Sequence, residues 1–137
     1  MQINGSVAFV TGANRGLGRH FAEQLVARGA AKVYAGARRP ESVTLAGVTP
    51  VQIDITDPAS VAAAAELASD TTLLVNNAGT ASFHGLLEGP MDEIRDLMES
   101  HYFGTLSVTR AFAPHLKANA PAAILNIHVE HDELSGR

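Results

Sequence analysis

Three glycines between a short apolar run and a helical pattern constrain the fold of this chain more than any other feature. Val7 to Val10 is typical of a buried strand, and Gly12, Gly16 and Gly18 follow it closely. Apolar residues then recur at helical spacing from Gly16 to Arg28. Such glycines permit a sharp turn, leave room for a phosphate beside the backbone, and let the helix pack closely on the sheet. The pattern predicts a strand, a tight turn, and a helix whose N-terminus faces an anion.

The remainder of the chain alternates strand and helix patterns. Further strands are predicted at Lys32 to Ala37, Val51 to Ile55, Thr72 to Val75 and Ala122 to Ile127. Helices are predicted behind Asp57 and Pro58 through Val61 to Ala68, and from Met91 to about Asn119 in two pieces. Helices that join apolar strands require a parallel sheet covered on both faces. We therefore expect an α/β fold with a Rossmann-type doubly wound parallel sheet of about five strands in the order 3-2-1-4-5.

Composition argues against several classes of function. The 137 residues suffice for one domain, predicted over residues 1–127, with a charged C-terminal tail at 128–137. A net charge of −4 without a strongly basic stretch argues against nucleic acid as a partner. There is no uninterrupted apolar run of about 18 residues and no signal-peptide pattern, so we expect a cytoplasmic protein without a membrane partner. Zero cysteines exclude disulfides and thiol nucleophiles.

Two motifs resemble those of the short-chain dehydrogenase/reductase family. Gly12-x-x-x-Gly16-x-Gly18 follows Thr11, and Asn76-Asn77-Ala78-Gly79 follows the fourth predicted strand. The resemblance covers about residues 5 to 127 and implies the cofactor-binding half of a family member, truncated after the fifth strand. It implies a nicotinamide dinucleotide bound by Gly12, Asn14, Arg15, Gly16, Leu17, Gly18, Arg38, Asp54, Ile55, Asn77, Ala78 and Gly79. Asp54 either accepts a hydrogen bond from the adenine amine or caps a turn.

Charge at the end of the second predicted strand distinguishes the two nicotinamide dinucleotides. A carboxylate there binds the ribose 2′-hydroxyl of NAD, whereas the 2′-phosphate of NADP needs cations. This chain has Arg38 and Arg39 there and Arg15 in the glycine turn. The guanidinium group suits a phosphate dianion through forked hydrogen bonds. We therefore expect NADP(H) rather than NAD(H). The alternative is that these arginines are solvated surface residues, and it applies most to Arg39.

The catalytic residues of the family are not matched. The family's acid/base group is a Tyr-x-x-x-Lys pair, and the tyrosines here are Tyr34 and Tyr102, without such a lysine. His101 stands where the resemblance implies Asn, and Val129 where it implies Ser. We predict an NADP(H)-binding domain that does not transfer hydride alone, with His101 as a candidate for acid/base chemistry. The alternative is an NADP-dependent carbonyl reductase or alcohol dehydrogenase, present as a fragment or completed by a partner chain.

Two expectations concern surfaces. The fifth predicted strand would form an uncovered edge, so we expect a homodimer through Met91 to Asn119 or through that strand. The tail contains His128, His131 and several carboxylates, which could hold a metal or be a solvated terminus. Because no established ligand spacing is matched, we expect no metal site.

Overall fold

The computed structural model describes residues 1–128 and divides them into five strands and four α-helices. The elements are β1 (Val7–Thr11), α1 (Gly16–Ala27), β2 (Lys32–Ala37), β3 (Thr49–Gln52), α2 (Pro58–Leu67), β4 (Leu73–Asn76), α3 (Met91–Met98), α4 (Thr105–Ala118) and β5 (Ala123–Asn126). A 3₁₀ turn at Pro40–Ser42 follows β2, and a π-helical turn at Glu99–Gly104 joins α3 to α4. All strand pairs are parallel and their order is β3-β2-β1-β4-β5, which confirms the predicted Rossmann-type topology.

Alternate residues of the strands pack on opposite faces of the sheet. Phe9 of β1 lies on the face covered by α2 and α4, where its ring centroid is 4.7 Å from that of Phe112. Its neighbours Ala8 and Val10 belong to the other face, where Ala22 of α1 is buried with them. Burial on both faces explains why the strands show no polar alternation.

The predicted element bounds hold best where the local signal is strong. The Asp57 side chain accepts a hydrogen bond from the Ala59 backbone N–H at 3.1 Å, so the predicted N-cap of α2 is confirmed. The predicted bounds of the third strand, Val51 to Ile55, are wrong, because β3 is Thr49–Gln52. Pro50 is tolerated there since β3 is an edge strand and the proline needs no ladder N–H.

Two further expectations concern the membrane and the C-terminal tail. Within residues 1–128, no helix is both long and apolar enough to cross a bilayer. The cytoplasmic location stays a prediction. Of the charged tail predicted at 128–137, only His128 is described, so the choice between a metal site and a solvated terminus lies outside the described residues.

A cluster of charged and polar side chains lies at the amino ends of the strands. Lys32 Nζ donates to Asp70 Oδ2 at 2.7 Å, and the Tyr34 hydroxyl donates to Asp70 Oδ1 at 2.8 Å. Hydrogen bonds to Asp70 and Tyr34 raise the pKa of Lys32 to about 12. Burial acts to raise the pKa of Asp70, but hydrogen bonds from Lys32 and Tyr34 outweigh it and hold that pKa below its usual value. The cluster connects the start of β2 to the loop before β4.

Candidate functional site

A cavity of about 680 Å³ lies at the carboxyl ends of the strands, a size typical of small-molecule sites. All the residues predicted to bind a cofactor line it: Gly12, Asn14, Arg15, Gly16, Leu17, Gly18, Arg38, Asp54, Ile55, Asn77, Ala78 and Gly79. The structure thus brings together residues from four segments of the chain. That they contact a cofactor stays a prediction.

The lining also contains residues that the motifs did not predict as ligands: Ala37, Arg39, Ser42, Ile53, Thr56, Thr80 and Ser100. Most of them directly neighbour a predicted residue, so adjacency in the chain would have found them. The exceptions are Ser42, which lies in the 3₁₀ turn after β2, and Ser100, which reaches the cavity from the π-helical turn. The sequence signal for the π-helical turn is the neighbouring His101, which stands where the family resemblance implies a catalytic Asn.

The glycine turn forms the middle of the cavity wall. Gly12 and Gly16 have φ values of +66° and +56°, in the left-handed region that favours glycine. At Gly18, a Cβ would overlap the carbonyl oxygen of Gly12, so only glycine lets α1 approach this closely. The helix begins without a side-chain cap, which leaves its first backbone N–H groups for another acceptor. This geometry suits an anion such as a pyrophosphate.

Thr11 and Asn77 connect β1 to β4 where the cavity opens. Thr11 Oγ1 accepts hydrogen bonds from the backbone N–H groups of Asn77 and Ala78, both at 2.9 Å. The Asn77 side chain donates to the carbonyl oxygens of Thr11 at 3.1 Å and Gly12 at 3.3 Å. The predicted motif after β4 therefore stabilises the glycine turn as well as lining the cavity.

Arginines supply positive charge on the β2 side of the cavity. Arg15 precedes α1, while Arg38 and Arg39 follow β2, and all three are exposed. None of them takes part in the ion pairs of residues 1–128. Their charges are therefore available to an anionic ligand in the cavity.

The Asp54 side chain caps a turn, which is one of the two roles that the sequence allowed for it. Its Oδ1 accepts hydrogen bonds from the Thr56 hydroxyl at 2.7 Å and from the Thr56 backbone N–H at 2.9 Å. These bonds, with a smaller contribution from the charge of Arg38, hold the pKa of Asp54 below its usual value. Asp54 is thus an ionised acceptor at the cavity wall at neutral pH. A contact with adenine stays a prediction.

The β4 side of the cavity is contacted by the π-helical turn. The Thr80 and Ser100 hydroxyls lie 3.0 Å apart, and Ser100 is buried. His101 Nε2 lies 2.6 Å from the Thr80 carbonyl oxygen, and its ring lies against Gly79. His101 does not itself line the cavity as the described residues define it.

Comparison with known sequences gives consistent matches. A sequence model of the family described as short chain dehydrogenase matches residues 6–133. The short chain dehydrogenase TazN of Aspergillus terreus is 36% identical over 131 residues, covering 85% of this chain and 29% of that protein. The 3-oxoacyl-[acyl-carrier-protein] reductase FabG of Salmonella typhimurium is 33% identical over 120 residues, covering 81% of this chain and 49% of that protein. The chain therefore spans half or less of the length of these relatives.

Solved structures agree with the sequence matches. A short chain dehydrogenase from Burkholderia cenocepacia in complex with NADP is 51% identical, with a TM-score of 0.88 over 92% of this chain and 54% of that chain. A 3-ketoacyl-(acyl-carrier-protein) reductase from Brucella melitensis complexed with NADH is 29% identical, with a TM-score of 0.83 over 91% of this chain and 57% of that chain.

Proposed function

This chain belongs to the short-chain dehydrogenase family, and we propose that its cavity binds a nicotinamide dinucleotide with a preference for NADP(H) over NAD(H). The observation that carries the proposal is the uncapped N-terminus of α1 beside Arg15 and Arg38 in one cavity. Support comes from the similar Burkholderia cenocepacia protein, whose structure contains NADP. The Brucella melitensis protein was solved with NADH, so the family alone does not decide the preference.

The order of the strands supports one orientation of the dinucleotide in this proposal. The pyrophosphate would lie at the glycine turn after β1, the 2′-phosphate near Arg15 and Arg38, and the adenine near Asp54 and Ile55 on the β3 side. The nicotinamide half would then extend to the β4 side, toward Gly79. When bound, a nicotinamide supplies hydride transfer, while these residues bind and orient it.

A separate proposal concerns hydride transfer by this chain, for which there are two candidates. No Tyr-x-x-x-Lys pair occurs in the 137 residues, which supports a domain that binds NADP(H) without turnover by itself. A second candidate is a carbonyl reductase or alcohol dehydrogenase whose acid/base group comes from further chain or a partner. The match to a reductase over 49% of its length favours this candidate. NADPH-dependent thermal stabilisation without absorbance loss against a panel of ketones supports the first, and turnover supports the second.

The cofactor preference is tested with Arg38→Ala. Loss of a charged hydrogen-bond partner for the 2′-phosphate should weaken NADPH about 10- to 100-fold while NADH changes by less than about threefold. Isothermal titration with both dinucleotides measures the two affinities. Arg28→Ala is the matched control, because Arg28 is exposed at the other end of α1 and should change neither affinity. Equal losses for NADPH and NADH would contradict the preference.

We also propose a homodimer formed through exposed apolar residues. Tyr102, Phe103 and Leu106 are exposed along the π-helical turn and α4, and Ile124 and Leu125 are exposed on β5. A second copy of the chain would remove this surface from water. Analytical ultracentrifugation of the chain should give a dimer, and Leu106→Glu should shift it toward monomer. A monomer at all concentrations would contradict the proposal.

A further inference from the structure

We propose that His101 positions the nicotinamide side of the cavity by packing directly against Gly79, so that the two residues form a size-matched pair. This inference rests on the proposed function, because it concerns the half of the dinucleotide on the β4 side. His101 acts through Gly79 and Thr80 in this proposal, and is a positioning residue.

The contact between Gly79 and His101 explains why glycine occupies position 79. Gly79 is not among the glycines with positive φ, so its backbone conformation is open to other residues. Space is the limitation: a Cβ at Gly79 would overlap His101 Cε1 and lie 2.8 Å from Nδ1. The need for glycine therefore comes from the imidazole ring. It should disappear when the ring is removed.

A hydrogen bond fixes the ring in this position. His101 Nε2 lies 2.6 Å from the Thr80 carbonyl oxygen, and a carbonyl oxygen can only accept, so Nε2 carries a proton. The preceding residue of the π-helical turn acts on the same segment, because the Thr80 and Ser100 hydroxyls are 3.0 Å apart. Two neighbouring side chains of the turn thus hold the segment Gly79–Thr80, and both residues of that segment line the cavity.

The adenine side of the cavity is built from different residues. Arg38 and Asp54 follow β2 and β3, on the other side of β1 from Gly79. A ligand confined to the adenine side, such as adenosine 2′,5′-bisphosphate, would therefore not report on the Gly79–His101 contact. NADPH, which spans the cavity in the proposed orientation, would. The two ligands separate a local effect from a loss of folding.

The test is a double-mutant cycle of Gly79→Ala and His101→Ala, with both ligands titrated by calorimetry. We expect Gly79→Ala to weaken NADPH about 10-fold in the original chain and less than about threefold in the His101→Ala background. The affinity for adenosine 2′,5′-bisphosphate should change by less than about twofold throughout. Emission of the bound nicotinamide in Gly79→Ala should move toward that of free NADPH, and return in the double variant.

Control variants test whether the effects in the double-mutant cycle are specific to Gly79 and His101. His101→Gln keeps an N–H donor for the Thr80 carbonyl and should retain more NADPH affinity than His101→Ala. His20→Ala removes an exposed imidazole from α1, and Gly85→Ala adds a methyl group that meets only the Glu88 side chain within 4 Å, so neither should change binding.

The outcomes distinguish the inference from the function on which it rests. Equal cost of Gly79→Ala in both backgrounds would overturn the pairing of Gly79 with His101. Parallel loss of both ligands in Gly79→Ala would also overturn it, since the residues would then support the fold as a whole. If the unmodified chain binds neither ligand, it is the proposed function that fails.

Discussion

Charged side chains are paired with one another at one end of the parallel sheet, whereas the arginines at the other end form no ion pairs among the described residues. At the amino ends, Lys32, Tyr34 and Asp70 satisfy one another, with the Lys32–Asp70 pair at 2.7 Å. At the carboxyl ends, Arg15 and Arg38 form no ion pair within residues 1–128 and lie beside an uncapped helix N-terminus. Charges that are paired internally stabilise the fold, whereas charges left at a cavity are available to a ligand. Variants at the two ends should therefore affect different properties.

The largest expected effect is at the carboxyl end, in Gly18→Ala. The new Cβ would overlap the Gly12 carbonyl oxygen, which is backbone and cannot yield without moving the turn. We expect NADPH affinity to fall more than about 100-fold, because the N-terminus of α1 would no longer align with the pyrophosphate. Calorimetric titration measures the loss, and circular dichroism checks that the helices remain.

Gly85→Ala is the control for that substitution, since Gly85 lies outside the cavity and a Cβ there would meet only the end of the flexible Glu88 side chain. Retention of NADPH affinity in Gly18→Ala would show that the approach of α1 to the turn does not matter for binding. Close packing at the glycine turn would then not be what distinguishes the carboxyl ends of the strands from the amino ends.

A smaller effect is expected at the amino end, in Asp70→Asn. The substitution removes the carboxylate that accepts from Lys32 and Tyr34. Because the pair is partly exposed, we expect Tm to fall by only about 2 to 5 °C, with NADPH affinity changed by less than about twofold. Thermal unfolding followed by calorimetric titration measures both. A loss of NADPH affinity in this variant would show that the two ends are coupled.

The smallest expected effect is the pH dependence of the Tm difference between the original chain and Asp70→Asn. The pKa of Asp70 lies below its ordinary value of 3.8, so its stabilising contribution is complete above that value and is lost as pH falls through the folded-state pKa. The Tm difference between the original chain and Asp70→Asn should be constant at neutral pH and shrink below about pH 4. Thermal melts across this range measure it. A difference that persists at lower pH would assign the effect to packing.

Much of the fold follows from local patterns in the sequence. The strand order and the cap at Asp57 are predicted because they depend on neighbouring residues and on the handedness of strand connections. The bounds of β3 are not, because Pro50 is a poor strand residue except at an edge, and the edge position is a property of the whole sheet.

In the candidate site, too, the residues of short local motifs are predicted from the sequence, whereas a contact between distant residues is not. The glycine turn and the segment after β4 are short motifs, so all their predicted residues do line the cavity. The contact of His101 with Gly79 joins residues 22 positions apart through a π-helical turn. A helical pattern indicates that the long segment is helical, but the extra residue of a π turn changes which side chains face the sheet. In this turn, Gly104 lies against Ile55 and His101 lies against Gly79, and both contacts are between residues distant in the sequence.

One threonine hydroxyl connects the end of β1 to the end of β4 and the segment after it. Thr11 Oγ1 lies within hydrogen-bonding distance of three backbone groups of the β4 segment, namely the carbonyl oxygen of Val75 and the N–H groups of Asn77 and Ala78. Separating the two strand ends by thermal motion would break all three bonds together, which makes that fluctuation rare. The distance between these two strand ends is therefore fixed in the absence of a ligand. A ligand that binds in the cavity there loses little free energy to ordering the backbone between these strands.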